Sequence, residues 1–133
     1  LFCHEKDGKL QESAVLFYLS GRSPHKAIAA ETNRFIFLDG TIEDLGKGIP
    51  AAQMPVISDN YSKYIGWKGQ GEIPAEKLEK MREYIRQTHA EGKLFRWWGA
   101  PDTPLFKKLF IKEGVDLIGA DDLKALSLIL QNP

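Results

Sequence analysis

The feature that most constrains this chain is an alternation of short, continuous apolar runs with helical segments. Residues 14–20 (Ala-Val-Leu-Phe-Tyr-Leu-Ser) and 34–38 (Arg-Phe-Ile-Phe-Leu) read as strands buried on both faces, stopped by Gly21 and by Asp39-Gly40. Between them, Ser23-Pro24 offers a cap and a first-turn proline for a helix to about Glu31. Residues 41–53 read as a loop with one helical turn. Residues 54–60 form a short strand that Pro55 places at an edge or at a strand start. Residues 61–74, aromatic and glycine-rich, read as an excursion loop. Leu78, Met81, Ile85 and Thr88-His89 then follow one helical stripe from Pro74 to about Glu91. A strand over 93–98 precedes a helix opened by Asp102-Thr103-Pro104 and closed at Gly114. A strand over 115–120 precedes a helix capped by Asp121 or Asp122. This order predicts an α/β fold of parallel βαβ units, in a single unit over residues 1–133.

In such a sheet, ligands bind beyond the carboxyl ends of the strands. Ser20, Asp39, Asp59, Arg96, Trp98, Asp102, Asp121 and Asp122 lie at or near those ends. Arg96 interrupts an apolar strand, and a charge there must be paired or face a wet cavity. Its parity matches that of Trp98, so both point to one side; the competing reading is an ion pair with Asp121 or Asp39. Ser20-Gly21-Arg22-Ser23, leading into a helix, offers backbone N–H groups and an arginine to an anion or forms a plain turn. Of the two adjacent aspartates, Asp121 is expected in the pocket and Asp122 as a cap. Trp98, Arg96, Asp39 and Asp121 are expected to converge at one end of the sheet.

Composition narrows the classes of function. Eighteen basic residues balance eighteen acidic ones, so no net field draws the chain to nucleic acid or to an anionic membrane. No apolar run reaches the ~20 residues of a spanning helix. Cys3 is the single cysteine, which excludes an intrachain disulfide and a multi-cysteine zinc site. The three histidines, His4, His25 and His89, read as peripheral. There is no G-x-S-x-G, H-E-x-x-H, P-loop or dinucleotide fingerprint, and so no complete catalytic set. The start at Leu1-Phe2-Cys3-His4 lies mid-pattern, as expected of a processed product or a piece of a longer chain.

Several blocks, in order along nearly the whole chain, resemble one family: Leu19-Ser20-Gly21-Arg22, Leu38-Asp39-Gly40, residues 54–61 (Met-Pro-Val-Ile-Ser-Asp-Asn-Tyr), residues 67–71 (Trp-Lys-Gly-Gln-Gly), residues 96–102 (Arg-Trp-Trp-Gly-Ala-Pro-Asp) and Gly114-Val115-Asp116-Leu117-Ile118 with Asp121-Asp122-Leu123. They are similar to the C-terminal half of the phosphatidylinositol-specific phospholipase C and glycerophosphodiester phosphodiesterase-like TIM barrels of bacteria and fungi. The resemblance implies the fifth to eighth strands of a TIM barrel and a phosphoric diester hydrolase acting on glycerophosphodiester or phosphoinositide-like substrates. It makes Trp98 the pocket tryptophan after the seventh strand and Asp121 the aspartate after the eighth; Gly119-Ala120 departs from the polar pair expected before it. Arg96, Asp39, Asp59 and Ser20 would complete a substrate-side wall. The catalytic histidine pair, and a divalent cation (Ca²⁺ or Mg²⁺) where one is used, belong to the first half of such a barrel. This chain then holds no catalytic residue, no metal ligand and no cofactor of its own. Members of the family are often exported, which implies an extracytoplasmic or periplasmic setting.

The alternative is a non-catalytic α/β binding or assembly module. Under either reading, strands 14–20 and 115–120 should be open outer edges, and four or five strands cannot close a barrel alone. A homodimer, or pairing with the missing N-terminal half, is the expected partner state; no nucleic acid and no membrane span are expected.

Overall fold

The computed structural model describes residues 1–131. The chain opens in a hairpin, β1 (His4–Lys6) and β2 (Lys9–Gln11), turned by Asp7-Gly8 with φ of 53° and 75°. Asp-Gly adopts this left-handed pair at little steric cost, and the resulting turn matches the strand twist. The Glu5 carboxylate anchors the hairpin: it accepts from Gly8 N–H (2.6 Å) and Asn33 N–H (2.9 Å) and lies 3.6 Å from Arg34.

Five parallel strands follow: β3 (Phe17–Leu19), β4 (Ile36–Gly40), β5 (Val56–Asn60), β6 (Leu94–Trp98) and β7 (Leu117–Ile118). They lie side by side in sequence order and curl as a half-barrel. The register sets Asp39 beside Val56, Ser58 beside Arg96, Asn60 beside Trp98 and Trp97 beside Ile118. The connections carry α1 (His25–Ala30), a 3₁₀ turn at Ile42–Asp44, α2 (Tyr61–Tyr64), α3 (Ala75–Ala90) and α4 (Pro104–Glu113), and α5 (Leu123–Gln131) follows β7.

Side chains alternate across the sheet. Leu38, Ile57, Phe95 and Trp97 face outward into the core with Ile28 of α1, Met81 and Ile85 of α3, and Phe106 and Phe110 of α4. Tyr61 is the hub: its ring lies 5.8 Å from Trp97, 5.5 Å from Phe106 and 5.6 Å from Phe110, the first two edge-on. Such pairs each add about 0.5–1.5 kcal/mol beyond area burial. Gly40 leaves room for Met54: a Cβ there would sit 2.2 Å from its Sδ, so that side chain would have to move. Gly114 closes α4 in the left-handed region (φ 84°), where L-residues are strained.

Several expectations change here. β5 is the middle strand, not an edge; Pro55 sits just before it and accepts the Leu94 N–H through its carbonyl, so it disturbs no ladder bond. The 14–20 strand is not buried on both faces, because the six-residue α1 is too short to cover it: Phe17 and Leu19 are 51% and 39% exposed. The strand over 34–38 falls instead at 36–40, and that over 115–120 shrinks to two residues. The excursion loop opens with α2, capped by Asn60 Oδ1, which accepts from the Ser62 and Lys63 N–H groups. Ser23 does not cap α1; its hydroxyl is buried without a partner, and Pro24 holds the cap position. The sheet order does place β3 and β7 at the two outer edges, and no described helix is long and apolar enough to cross a membrane.

Candidate functional site

The inner face of the curled sheet carries the alternate residues: Phe37 and Asp39, Val56 and Ser58, then Leu94, Arg96 and Trp98. Near the strands' carboxyl ends these become polar. Ser58 donates its hydroxyl to Asp39 Oδ1 at 2.5 Å, and Ser20 also bonds the Asp39 carboxyl. Asp39 is only 8% exposed. Burial pushes its pKa above the ordinary value; the Ser58 and Ser20 hydrogen bonds and the Arg96 charge act the other way, and Asp59 adds to the rise.

Arg96 takes part in none of the described ion pairs, neither with Asp121 nor with Asp39 at contact distance. It is half-buried and lines a cavity of about 410 Å³ with Trp98, Asp102, Lys107 and Asp121. A second cavity, of about 260 Å³, is lined by Ser20, His25, Asp39, Ser58, Asp59 and Trp98. Trp98, 46% exposed, borders both and is the partition between them. The expected convergence is therefore present: Trp98, Arg96, Asp39 and Asp121 lie at the carboxyl end of one sheet.

Other residues serve the frame. The Asp59 carboxylate accepts from Ile42 N–H (3.1 Å) and Asn60 N–H (2.7 Å), so it anchors the 3₁₀ turn from the outer side of β5 while bordering the smaller cavity. Asp121 is exposed, and its backbone N–H donates to Asp102 Oδ2 (2.8 Å). Asp122 Oδ1 caps α5 by accepting from Ala125 N–H, as expected. Asp102 does not cap α4; it pairs with the nearly buried Lys107 ammonium. Lys107 first, and the Asp121 N–H second, hold the Asp102 carboxyl below its ordinary value. One carboxylate thus ties the loop after β6 to the loop after β7.

Three members of the mouth carry little signal in the sequence: Ser58, His25 and Lys107. Ser58, followed by Asp59 and Asn60, has the composition of an ordinary turn, yet its register beside Arg96 puts it on the inner face. His25 was placed at the periphery; it opens α1 and borders the smaller cavity. Lys107 gave no signal, since a lysine on a helix ordinarily faces water. His89 is far from this chemistry: its Nε2 lies 2.7 Å from Asp116 Oδ2, which also accepts the Phe95 N–H. Among the described residues, no group of three or more His, Cys, Asp or Glu side chains could hold a metal ion. Compared with known proteins, the chain matches no family model, no curated protein and no solved structure.

Proposed function

We propose that this chain is the substrate-side wall of a phosphoric diester hydrolase whose substrates are glycerophosphodiesters or phosphoinositide-like phosphodiesters. The observation that carries the reading is the inner-face set Asp39–Ser58–Arg96–Trp98, which puts an acceptor, a hydroxyl, a cation and an indole around one mouth. Arg96 supplies donors and positive charge to a phosphate oxygen. Asp39 and Ser58 bond hydroxyls of the alcohol moiety, and the Trp98 face packs on its carbon skeleton. In this reading, general acid–base catalysis of diester cleavage falls to the histidine pair that the resemblance assigns to the first half of such a barrel. The described residues do not build a cation site, and no step through Ca²⁺ or Mg²⁺ is assigned to them.

Binding and turnover separate here. Titration of the chain with glycerophosphocholine and glycerophosphoinositol, followed by ¹⁵N–¹H shifts, should move the Arg96 and Trp98 side-chain signals and spare His89. Arg96→Ala and Trp98→Ala should each weaken binding by roughly tenfold or more, as loss of a charged hydrogen bond or an aromatic platform does. No hydrolysis of bis(p-nitrophenyl) phosphate is expected from the chain by itself. Shifts confined to other surfaces would refute the wall. Turnover lost in a His4/His25/His89 triple substitution would refute the division of labour.

The second reading, a non-catalytic binding or assembly module, is favoured by the exposed apolar side chains at the sheet's edge. It predicts stable self-association or partner capture with no phosphodiester binding.

A further inference from the structure

We propose that the cavity of about 410 Å³ beside Trp98 takes the second alcohol arm of the diester, and that this arm is a polyhydroxylated ring, a sugar or a cyclitol. What the ring is attached to rests on the phosphodiester reading; recognition of the ring itself rests on the cavity alone.

The cavity is built within one stretch of chain. Its walls come from residues 96–121, which hold the end of β6, α4, β7 and the loops after the two strands. Its size falls within the range of about 300–1,000 Å³ that ligand pockets occupy. The charges around it are balanced, but their hydrogen-bonding capacity is not used up. Lys107 is 4% exposed, and of the three donors of its ammonium one meets the Asp102 carboxylate, its described partner. Arg96 enters no described ion pair. Asp121 lends its backbone N–H to Asp102 Oδ2 at 2.8 Å, while its exposed carboxylate also enters no described ion pair. The cavity thus offers spare donors from two cations and spare acceptors from a carboxylate, beside the indole of Trp98.

That set suits a ring of vicinal hydroxyls and disfavours other arms. A hydroxyl both donates and accepts, so neighbouring ones give to the Asp121 carboxylate and take from Arg96 or Lys107. The C–H face of the ring packs on the Trp98 indole, with Ala100 and Pro101 also on the wall. Arg96 and Lys107 offset Asp102 and Asp121, so no net field draws in a second phosphate. A quaternary ammonium is held by aromatic faces clear of other cations, and here two cations stand beside the indole. A bare alkyl arm would bury these charged groups without partners. Gly119 keeps the cavity open: it lies outside the left-handed region, and a Cβ there would meet nothing within 4 Å. Across Trp98, Asp39 and Ser58 keep the glycerol arm, so the indole separates the two arms of one diester.

The test is a ¹⁵N–¹H titration with glycerophosphoinositol, glycerophosphocholine, and free myo-inositol and glucose, with far-UV circular dichroism to show that each variant folds. Glycerophosphoinositol should bind roughly tenfold or more tighter than glycerophosphocholine, and it alone of the two should move the signals of residues 119–121. The free rings should move the same signals at roughly millimolar concentration, and the tighter of them tells a cyclitol from a sugar. Asp102→Asn/Lys107→Met, which removes the two charges as a pair, should abolish the preference between the diesters. So should Gly119→Leu, which takes up room in the cavity and leaves every charge in place. Equal affinity for the two diesters, or a preference that survives both variants, overturns the proposal. Free rings that move residues 119–121 while no diester moves Arg96 would sink the phosphodiester reading and uphold the ring site. Diesters that move Arg96 but never residues 119–121 would do the reverse.

Discussion

Ser58 Oγ lies 2.5 Å from Asp39 Oδ1 and joins two neighbouring strands on the inner face of the sheet. The bond keeps a carboxyl satisfied where burial disfavours its charge. Asp39 has a folded-state pKa above its unfolded value. Its stabilising contribution is therefore full below the ordinary aspartate value and is lost as pH rises through the raised one. Urea melts from about pH 3 to about pH 7 should show that loss in the wild type and not in Asp39→Asn. Ser58→Ala should cost about 1–3 kcal/mol near neutrality by leaving the carboxylate short of a donor, and less in acid.

Asp102 has the opposite linkage. Lys107 and two loop N–H groups lower its pKa, so its contribution is present above the ordinary aspartate value and is lost as pH falls through the lowered one. Asp102→Asn strands a buried ammonium, whereas Asp102→Asn/Lys107→Met removes both charges. The single variant should melt at a lower temperature than the double one. Equal melting temperatures would show that the pair does not hold the two loops.

Trp97 and Trp98 are adjacent residues with opposite duties. Trp98→Ala should change unfolding free energy by less than about 0.5 kcal/mol, as surface substitutions do, while weakening ligand binding. Phe95→Ala, on the buried outer face of the same strand, should cost about 3–5 kcal/mol. A large stability loss at Trp98 would make it a packing residue.

Tyr61 provides a titration check. Burial pushes its phenol up to about 12, and its hydroxyl donates to the Trp67 carbonyl. Ultraviolet titration should show a late tyrosinate step near that pH, absent from Tyr61→Phe. A single step complete near the ordinary tyrosine value would contradict the buried hub.

Elements with regular periodicity and clear punctuation were readable in the residues. The α3 stripe of Leu78, Met81 and Ile85 and the glycine stop at Gly114 fall where local physics places them. The strand-end positions of Asp39, Arg96, Trp98 and Asp121 were equally legible, because parity and order suffice for them. Three features were not. The hairpin at residues 4–11 carries an Asp7-Gly8 turn signal but only three-residue strands, too short for alternation to register. The depth of β5 in the sheet depends on its neighbours rather than on Pro55. The exposure of Phe17 and Leu19 depends on how much sheet α1 can cover, a tertiary quantity that an apolar run cannot encode. Lys107 illustrates the same limit at the mouth, since only the fold brings Asp102 to it.

The aromatic hub around Tyr61 also makes the molecule its own optical instrument. Trp97 lies 5.8–6.4 Å from the rings of Tyr61, Tyr64 and Tyr84, close enough for those tyrosines to pass their excitation to it. Trp97 sits in an apolar shell at 3% exposure, while Trp98 meets solvent at 46%. Excited through tyrosine, the folded chain should emit mainly from the buried indole, at the blue end of the tryptophan band. Excited at the red edge, it should report the two less buried indoles, Trp67 and Trp98, of which Trp98 is the more open to a small quencher. Two wavelengths thus follow separate events in one sample: the blue signal tracks loss of the core, and the red one tracks whatever enters the mouth.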